Sequence, residues 1–211
     1  MALVTVVKED DKLYVGCDAC ISHNGRNAYC ENNSRIAHIR DRKNTFFVAL
    51  RVTPAFCYVK TLCGLFSTEE EKEPEINHKF ITIHTLPKIY QALKDKWFLD
   101  KEKIENLPFS CLILHKNKAF AVDSDGYCAE IFESKTFGLN SNERIIRFNR
   151  TKGEDWKYRI LKDFTTTAKS QEFYWQPFSL LDMQTGKIKY YSYDQALSYV
   201  KKYEKAKKEG K

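Results

Sequence analysis

The 211 residues of this chain predict an α+β domain in which antiparallel hairpins alternate with helices. Three observations carry that expectation. Short β-branched runs come in pairs around polar turns near both ends and in the middle of the chain. Stretches with apolar residues at helical spacing separate the first pairs from the middle ones. Hydrophobic residues make up 43% of the chain, with 14 Phe, 12 Tyr and 3 Trp, enough for a sizeable core.

The elements read as follows. Leu3 to Val7 and Leu13 to Cys17 flank the polar turn Lys8 to Asp11 and predict a hairpin. His23 to Asn33, rich in Asn and Gly, reads as loop. Arg35 to Ile39 and Thr45 to Val52 predict a second hairpin around Arg40 to Asn44. Thr53-Pro54 supplies a cap followed by proline at the first helical position, and Phe56, Val59, Lys60, Cys63 and Phe66 recur at helical spacing after it. An acidic loop, Glu69 to Glu75, precedes a helix opened by Thr85-Leu86-Pro87, whose apolar face is Ile89, Leu93 and Trp97 with Tyr90 beside them. His84 reads as loop.

Phe109 to Leu114 and Ala119 to Val122 flank the turn His115 to Lys118, and Tyr127 to Phe132 follows the turn signal Asp123-Ser124-Asp125-Gly126. Glu143 to Ala168 reads as mostly helical. Phe178 to Met183 and Lys187 to Tyr193 form a last hairpin around Gln184-Thr185-Gly186, and Tyr193 to Lys208 predicts a Lys-rich helix. We expect one domain over 1–199, with 200–211 as a basic helix end or tail.

The totals exclude several classes. A net charge of +7, from 35 basic and 28 acidic residues, is too mild for a dedicated nucleic-acid binder, and much of it gathers at Lys201, Lys202, Lys205, Lys207, Lys208 and Lys211. No apolar run is long enough to span a bilayer, and Met1 to Val4 meets charge too soon for a signal peptide, so a cytoplasmic location is expected. Seven cysteines without a repeating spacing suit reduced thiols.

Three places resemble a known family. Val4-Thr5-Val6-Val7 through Tyr14-Val15-Gly16-Cys17-Asp18-Ala19-Cys20 is similar to an opening hairpin whose second strand ends in aspartate. Asn33 to Ile39, followed by Phe46-Phe47-Val48-Ala49-Leu50, resembles a strand led by a basic residue and its apolar neighbour. Leu112 to Leu114, Ala119 to Gly126 and Phe137-Gly138 look like a central hairpin and a glycine-marked start of a third helix. Together they resemble the proteasome β subunits and the bacterial two-component ATP-dependent peptidase, members of the N-terminal nucleophile (Ntn) hydrolases. The resemblance covers roughly Met1 to Asn140, and the carboxyl third follows by element order. It implies a four-layer α/β/β/α sandwich of two antiparallel sheets flanked by helices.

It also implies site residues. Family members attack amides with the Thr, Ser or Cys side chain of their own first residue, assisted by a lysine held by an aspartate. Asp18 matches the aspartate. Counting back from it, the nucleophile position falls on Ala2, which has no hydroxyl or thiol, and the lysine position falls on Arg35. Arginine keeps the charge but is effectively never deprotonated. An Asp18–Arg35 ion pair is one structural use of these residues. No catalytic residue is therefore expected.

Other constellations have plain readings beside the chemical ones. Thr5 would become a nucleophile if the chain were cut before it, but reads as a strand residue. Thr165-Thr166-Thr167 reads as surface loop. Cys17 and Cys20, with His23, Cys30 and His38 in reach, have zinc-like spacing but no second tight pair, so packing is preferred and no metal or cofactor is expected. Asp123 and Asp125 read as turn residues. The sequence as a whole points to a non-catalytic, proteasome-β-like structural or interaction protein that self-associates or docks on a protein partner. A stand-alone copy in a virus or mobile element is equally compatible. An Ntn-type threonine peptidase with an unmatched nucleophile, and a nucleic-acid-associated module acting through the basic tail, are the alternatives.

Overall fold

The structure, a computed structural model, describes residues 3–23, 26–29, 35–70, 73–103, 105–138, 154–170 and 177–210, with side chains for all of these except 20–23, 26–29, 138, 169 and 170. The elements are β1 (Leu3–Glu9), β2 (Lys12–Cys17), β3 (Cys20–His23), β4 (Arg26–Tyr29), β5 (Ile36–His38), β6 (Thr45–Ala49), α1 (Pro54–Val59), α2 (His78–Phe80), a π-helical turn (Ile81–Thr85) and α3 (Leu86–Asp95). They continue with β7 (Cys111–His115), β8 (Lys118–Val122), β9 (Cys128–Glu130), β10 (Lys135–Gly138), α4 (Trp156–Ser170), β11 (Phe178–Asp182), β12 (Lys187–Tyr191) and α5 (Tyr193–Lys208). Two compact units emerge, one drawn from Met1–Asn33 with Glu133–Lys211 and the other from Ser34–Phe132.

The first unit holds a five-stranded antiparallel sheet in the order β10-β1-β2-β11-β12. β1 and β2 pair from Val4↔Cys17 to Glu9↔Lys12, which leaves Asp10 and Asp11 to turn the chain, with Asp10 left-handed at φ 49. Because side chains alternate across a strand, Leu3, Thr5 and Val7 share one face with Tyr14, Phe178 and Leu180. Tyr158, Ile160, Leu161 and Phe164 of α4, and Ala196 and Val200 of α5, cover that face. The other face is buried as well, at Val4, Val6, Val15 and Leu181. Burial on both faces explains why these strands read as continuous apolar runs rather than alternating ones. α4 comes close enough that a Cβ built on Gly16 would stand 2.2 Å from Ile160 Cγ2 and 3.0 Å from Phe164 Cζ. α5 begins with a capping box: Ser192 Oγ accepts from Gln195 N–H (3.2 Å), and Gln195 Oε1 accepts from Ser192 N–H (2.9 Å).

The second unit holds the sheet β5-β6-β7-β8-β9, also antiparallel. Phe47, Ala49, Ile113, Phe120 and Val122 point toward α1 to α3, whose Phe56, Val59, Ile81, Ile89 and Leu93 complete the core. Phe46, Val48, Leu112 and Leu114 on the opposite face are buried too. His115, at the end of β7, is buried and shares a 2.8 Å hydrogen bond with Thr45 Oγ1. Burial, with smaller effects from Arg42, Lys116 and Lys118, lowers its pKa to about 4. α+β architecture is thus what forms, and Tyr193–Lys208 is the helix expected there.

Several expectations need correction. His23 to Asn33 is not all loop, since β3 and β4 pair from Cys20↔Tyr29 to His23↔Arg26. The sequence between them, Asn24-Gly25, is a strong hairpin dipeptide outweighed in the reading by its polar neighbours. The first helix stops at Val59 instead of reaching Phe66. The chain then tightens through Thr61 N–H to Tyr58 O and Leu62 N–H to Val59 O, and Gly64 turns left-handed at φ 74. Lys88 Nζ holds that turn by donating to Gly64 O and Ser67 O, each at 2.6 Å.

The next helix starts earlier than Thr85, where Asn77 Oδ1 caps Phe80 N–H at 2.9 Å, and His84 lies in its π-helical turn rather than a loop. Trp97 falls past the helix end with φ 61 and is 81% exposed, so it leaves the apolar face to Ile89 and Leu93. Phe137 and Gly138 end β10, which pairs with β1, rather than opening a helix. Of the helical stretch expected over Glu143 to Ala168, residues 143–153 lie outside the described residues, and α4 begins at Trp156.

Replacing Gly16 by Ala forces Ile160 or the α4 backbone to move. We expect a loss of about 1–3 kcal/mol in denaturant unfolding, partly relieved in a Gly16→Ala/Ile160→Ala double variant. His115 carries a pH signature. Its folded pKa lies below the unfolded value of 6.5, so the unfolded chain binds the proton first, and stability falls as pH drops from about 6.5 toward 4. His115→Gln should flatten that slope, which amounts to no more than about 3 kcal/mol, in melts recorded across the window.

Candidate functional site

Asp18 follows directly on β2 and is 6% exposed. Its Oδ1 accepts from Leu3 N–H at 3.1 Å, while its own N–H donates to Leu3 O, also at 3.1 Å. The carboxylate therefore extends the β1–β2 ladder by one step and satisfies the backbone of the residue that follows Ala2. Ala2 itself lies outside the described residues.

Arg35 belongs to the second unit and is 2% exposed. Its carbonyl accepts from Ala49 N–H (2.8 Å), and its Nη1 donates to Ala49 O (3.3 Å) and Leu50 O (3.4 Å). Backbone and side chain alike clasp the end of β6. Carbonyl oxygens meet part of the guanidinium's need for acceptors.

Sequence reasoning missed a polar cluster on the helix-covered face of the first sheet. Thr5 Oγ1 donates to Asp163 Oδ2 (2.8 Å), Thr136 Oγ1 donates to the same oxygen (3.1 Å), and the two hydroxyls stand 3.1 Å apart. The register Thr5↔Thr136 aligns the hydroxyls, and α4 brings the carboxylate above them. Burial raises the Asp163 pKa, and the two threonine hydrogen bonds hold it back. A lone Asp in an amphipathic helix gives no sequence signal for this. Thr5 in an otherwise apolar strand was the one hint, and it sits fully buried in the middle of β1, between β2 and β10.

Of the remaining candidates, Thr165 to Thr167 lie within α4 rather than a loop, and Thr165 Oγ1 bonds back to Leu161 O at 2.9 Å. Cys17 is a buried strand residue, while Cys30 and the side chains of Cys20 and His23 lie outside the described residues. His38 stacks edge-on against Phe46 at 4.9 Å. Asp123 and Asp125 form the turn before β9, with Gly126 N–H donating to Asp123 O and Tyr127 N–H to Asp125 Oδ1. Among the described residues, no helix is long and apolar enough to cross a membrane.

Comparison with solved structures gives clear likenesses. BPH of Thiobacillus denitrificans, in complex with epoxomicin, superposes with a TM-score of 0.62 at 15% identity, over 90% of this chain and 99% of that one. Anbu from Hyphomicrobium sp. strain MC1 gives a TM-score of 0.61 at 14% identity, over 100% of this chain and 96% of that one. Its Gly-1 mutant gives 0.63, also at 14% identity and over the same shares. The fold is the proteasome-like Ntn hydrolase fold. No protein-family model matches the sequence, and no curated protein matches it. At such identities the likeness speaks for the Ntn fold and not for individual residues.

Thr5→Val keeps the shape of the polar cluster and removes one donor to a buried carboxylate. We expect a loss of about 1–3 kcal/mol at neutral pH. The folded pKa of Asp163 is raised, so its contribution is fully present below the ordinary carboxylate range and is lost as pH rises through the folded value. In the variant the folded pKa should rise further, so that loss extends to still higher pH, read from the Asp163 carboxyl chemical shift across a titration.

Proposed function

We propose that this chain is a non-catalytic protein on the proteasome-like Ntn fold, acting by self-association or by docking on a protein partner. The observation that carries the reading is the alanine at the position which, counted back from Asp18, would hold the nucleophile. A methyl group offers no lone pair to a carbonyl carbon. Two further features support it. Arg35 stands where a lysine would assist, and its planar fork is not a geometric substitute for an ammonium. Asp18 is engaged by the Leu3 amide, a structural use that needs no chemistry.

The rival reading is a threonine peptidase with another nucleophile. Thr5 would need its own free amine, and a cut before it would remove Leu3 and Val4 from β1, with their pairing to Gly138, Phe137 and Cys17. Its hydroxyl is also committed to Asp163. Self-association is the partner reading that the proteasome-like fold favours.

Native mass spectrometry of the purified protein, with the mass of its amino-terminal peptide, tests both halves. Epoxomicin is a suitable probe because BPH is known in complex with it. We expect an oligomer, an amino-terminal peptide that retains Ala2, and no retention of epoxomicin. A peptide beginning at Thr5 together with retained epoxomicin would overturn the non-catalytic reading. A monomer would remove self-association and leave docking on a different protein.

A further inference from the structure

The first unit carries a groove of about 270 Å³ beside the first turn of α4 and the β11–β12 hairpin. Register sets its walls. Leu180↔Lys189 and Asp182↔Lys187 are facing pairs, so these side chains share the sheet face on which α4 lies, and Lys157 reaches the groove from the helix.

The charge there is unbalanced. Three other cations of this unit meet carboxylates: Arg159 with Glu9 (3.1 Å), Lys162 with Glu204 (3.3 Å) and Lys207 with Glu154 (2.7 Å). Lys187 and Lys189 have no carboxylate partner among the described residues. The Lys157 ammonium instead rests over two rings, 4.6 Å from the Tyr191 centroid and 4.0 Å from that of Tyr199. Asp182 is the lining carboxylate, and its Oδ1 already accepts from Gln184 N–H at 2.9 Å.

Apart from Thr185, the remaining walls are apolar or aromatic. Leu180 is 1% exposed, and Trp156 is stacked on Tyr14 at 4.1 Å with the planes 5° apart. A group that matches this lining is an anion attached to a planar ring. The volume sits near the lower end of the range for ligand pockets, about 300–1,000 Å³, which suits a small ligand or a single unit of a longer one.

We propose that this groove binds a nucleotide, its phosphate between Lys157, Lys187 and Lys189 and its base against the apolar and aromatic wall. A free nucleotide and a residue of a single strand present the same chemistry, since lysines neutralise phosphate and aromatic rings accept any base.

The test uses the full chain at low salt, with AMP in a calorimetric titration and a fluorescein-labelled oligothymidylate in an anisotropy titration. Binding of AMP would mark a free-nucleotide site, and binding of the oligomer alone a strand site. In either case Lys187→Glu/Lys189→Glu should weaken binding by about tenfold or more, roughly 1.4 kcal/mol or more, without shifting the melting temperature. Lys201→Glu/Lys202→Glu on α5, away from the groove, should change affinity less than about twofold. Three results would overturn the proposal: neither probe binds at low salt, the groove variant binds as wild type does, or the α5 variant loses as much as the groove variant.

Discussion

α4 can lie on the sheet of the first unit because residue 16 has no side chain, since a Cβ there would meet Ile160 Cγ2 at 2.2 Å. Much of that unit follows from this close approach. It lowers Phe164 into the core beside Phe178 and holds Asp163 within reach of Thr5 and Thr136. α5 is then received on α4 through Tyr158 stacked with Tyr203 at 4.1 Å, and through Tyr199 donating to Asp155. One missing methyl group thus permits a helix layer, a buried polar cluster and the docking of the last helix.

Burial of both faces in the central strands of the two five-stranded sheets leaves little room for polar atoms, and several that remain there are held by hydrogen bonds. Thr5 and Thr136 have Asp163, and Arg35 has carbonyls at the end of β6. Asp18 has the Leu3 amide. An unpartnered polar group at such depth would cost about 1–3 kcal/mol, a large share of a typical domain's stability. Asp18 and Arg35 therefore each have a structural use in this fold.

Local signals in the sequence were legible because their physics is local. The turn at Asp10-Asp11, the Gly186 turn and the Thr53-Pro54 start of the first helix need only neighbouring residues. Periodicity misled where contacts at a distance decided. Phe66 has helical spacing from Phe56 but is buried from a turn that Lys88 and Asp41 hold. Trp97 continues the spacing of Ile89 and Leu93, yet the chain leaves the helix at Lys96 and turns it into solvent. β3 and β4 were hidden because polar side chains say little about a two-stranded ribbon whose ladder is made by backbone groups.

By itself the sequence determined the hairpins other than β3–β4, the last helix, the α+β class and the absence of a nucleophilic side chain at residue 2, since each depends on residue identity and near neighbours. Tertiary structure alone decided that Thr5, Thr136 and Asp163 meet, for they stand 131 and 27 residues apart along the chain. It also decided that Lys157 joins Lys187 and Lys189 around one groove, and that Asp18 is bound to the Leu3 amide. Those contacts depend on strand order and on how closely a helix approaches a sheet, and neither is encoded in any one stretch of the chain.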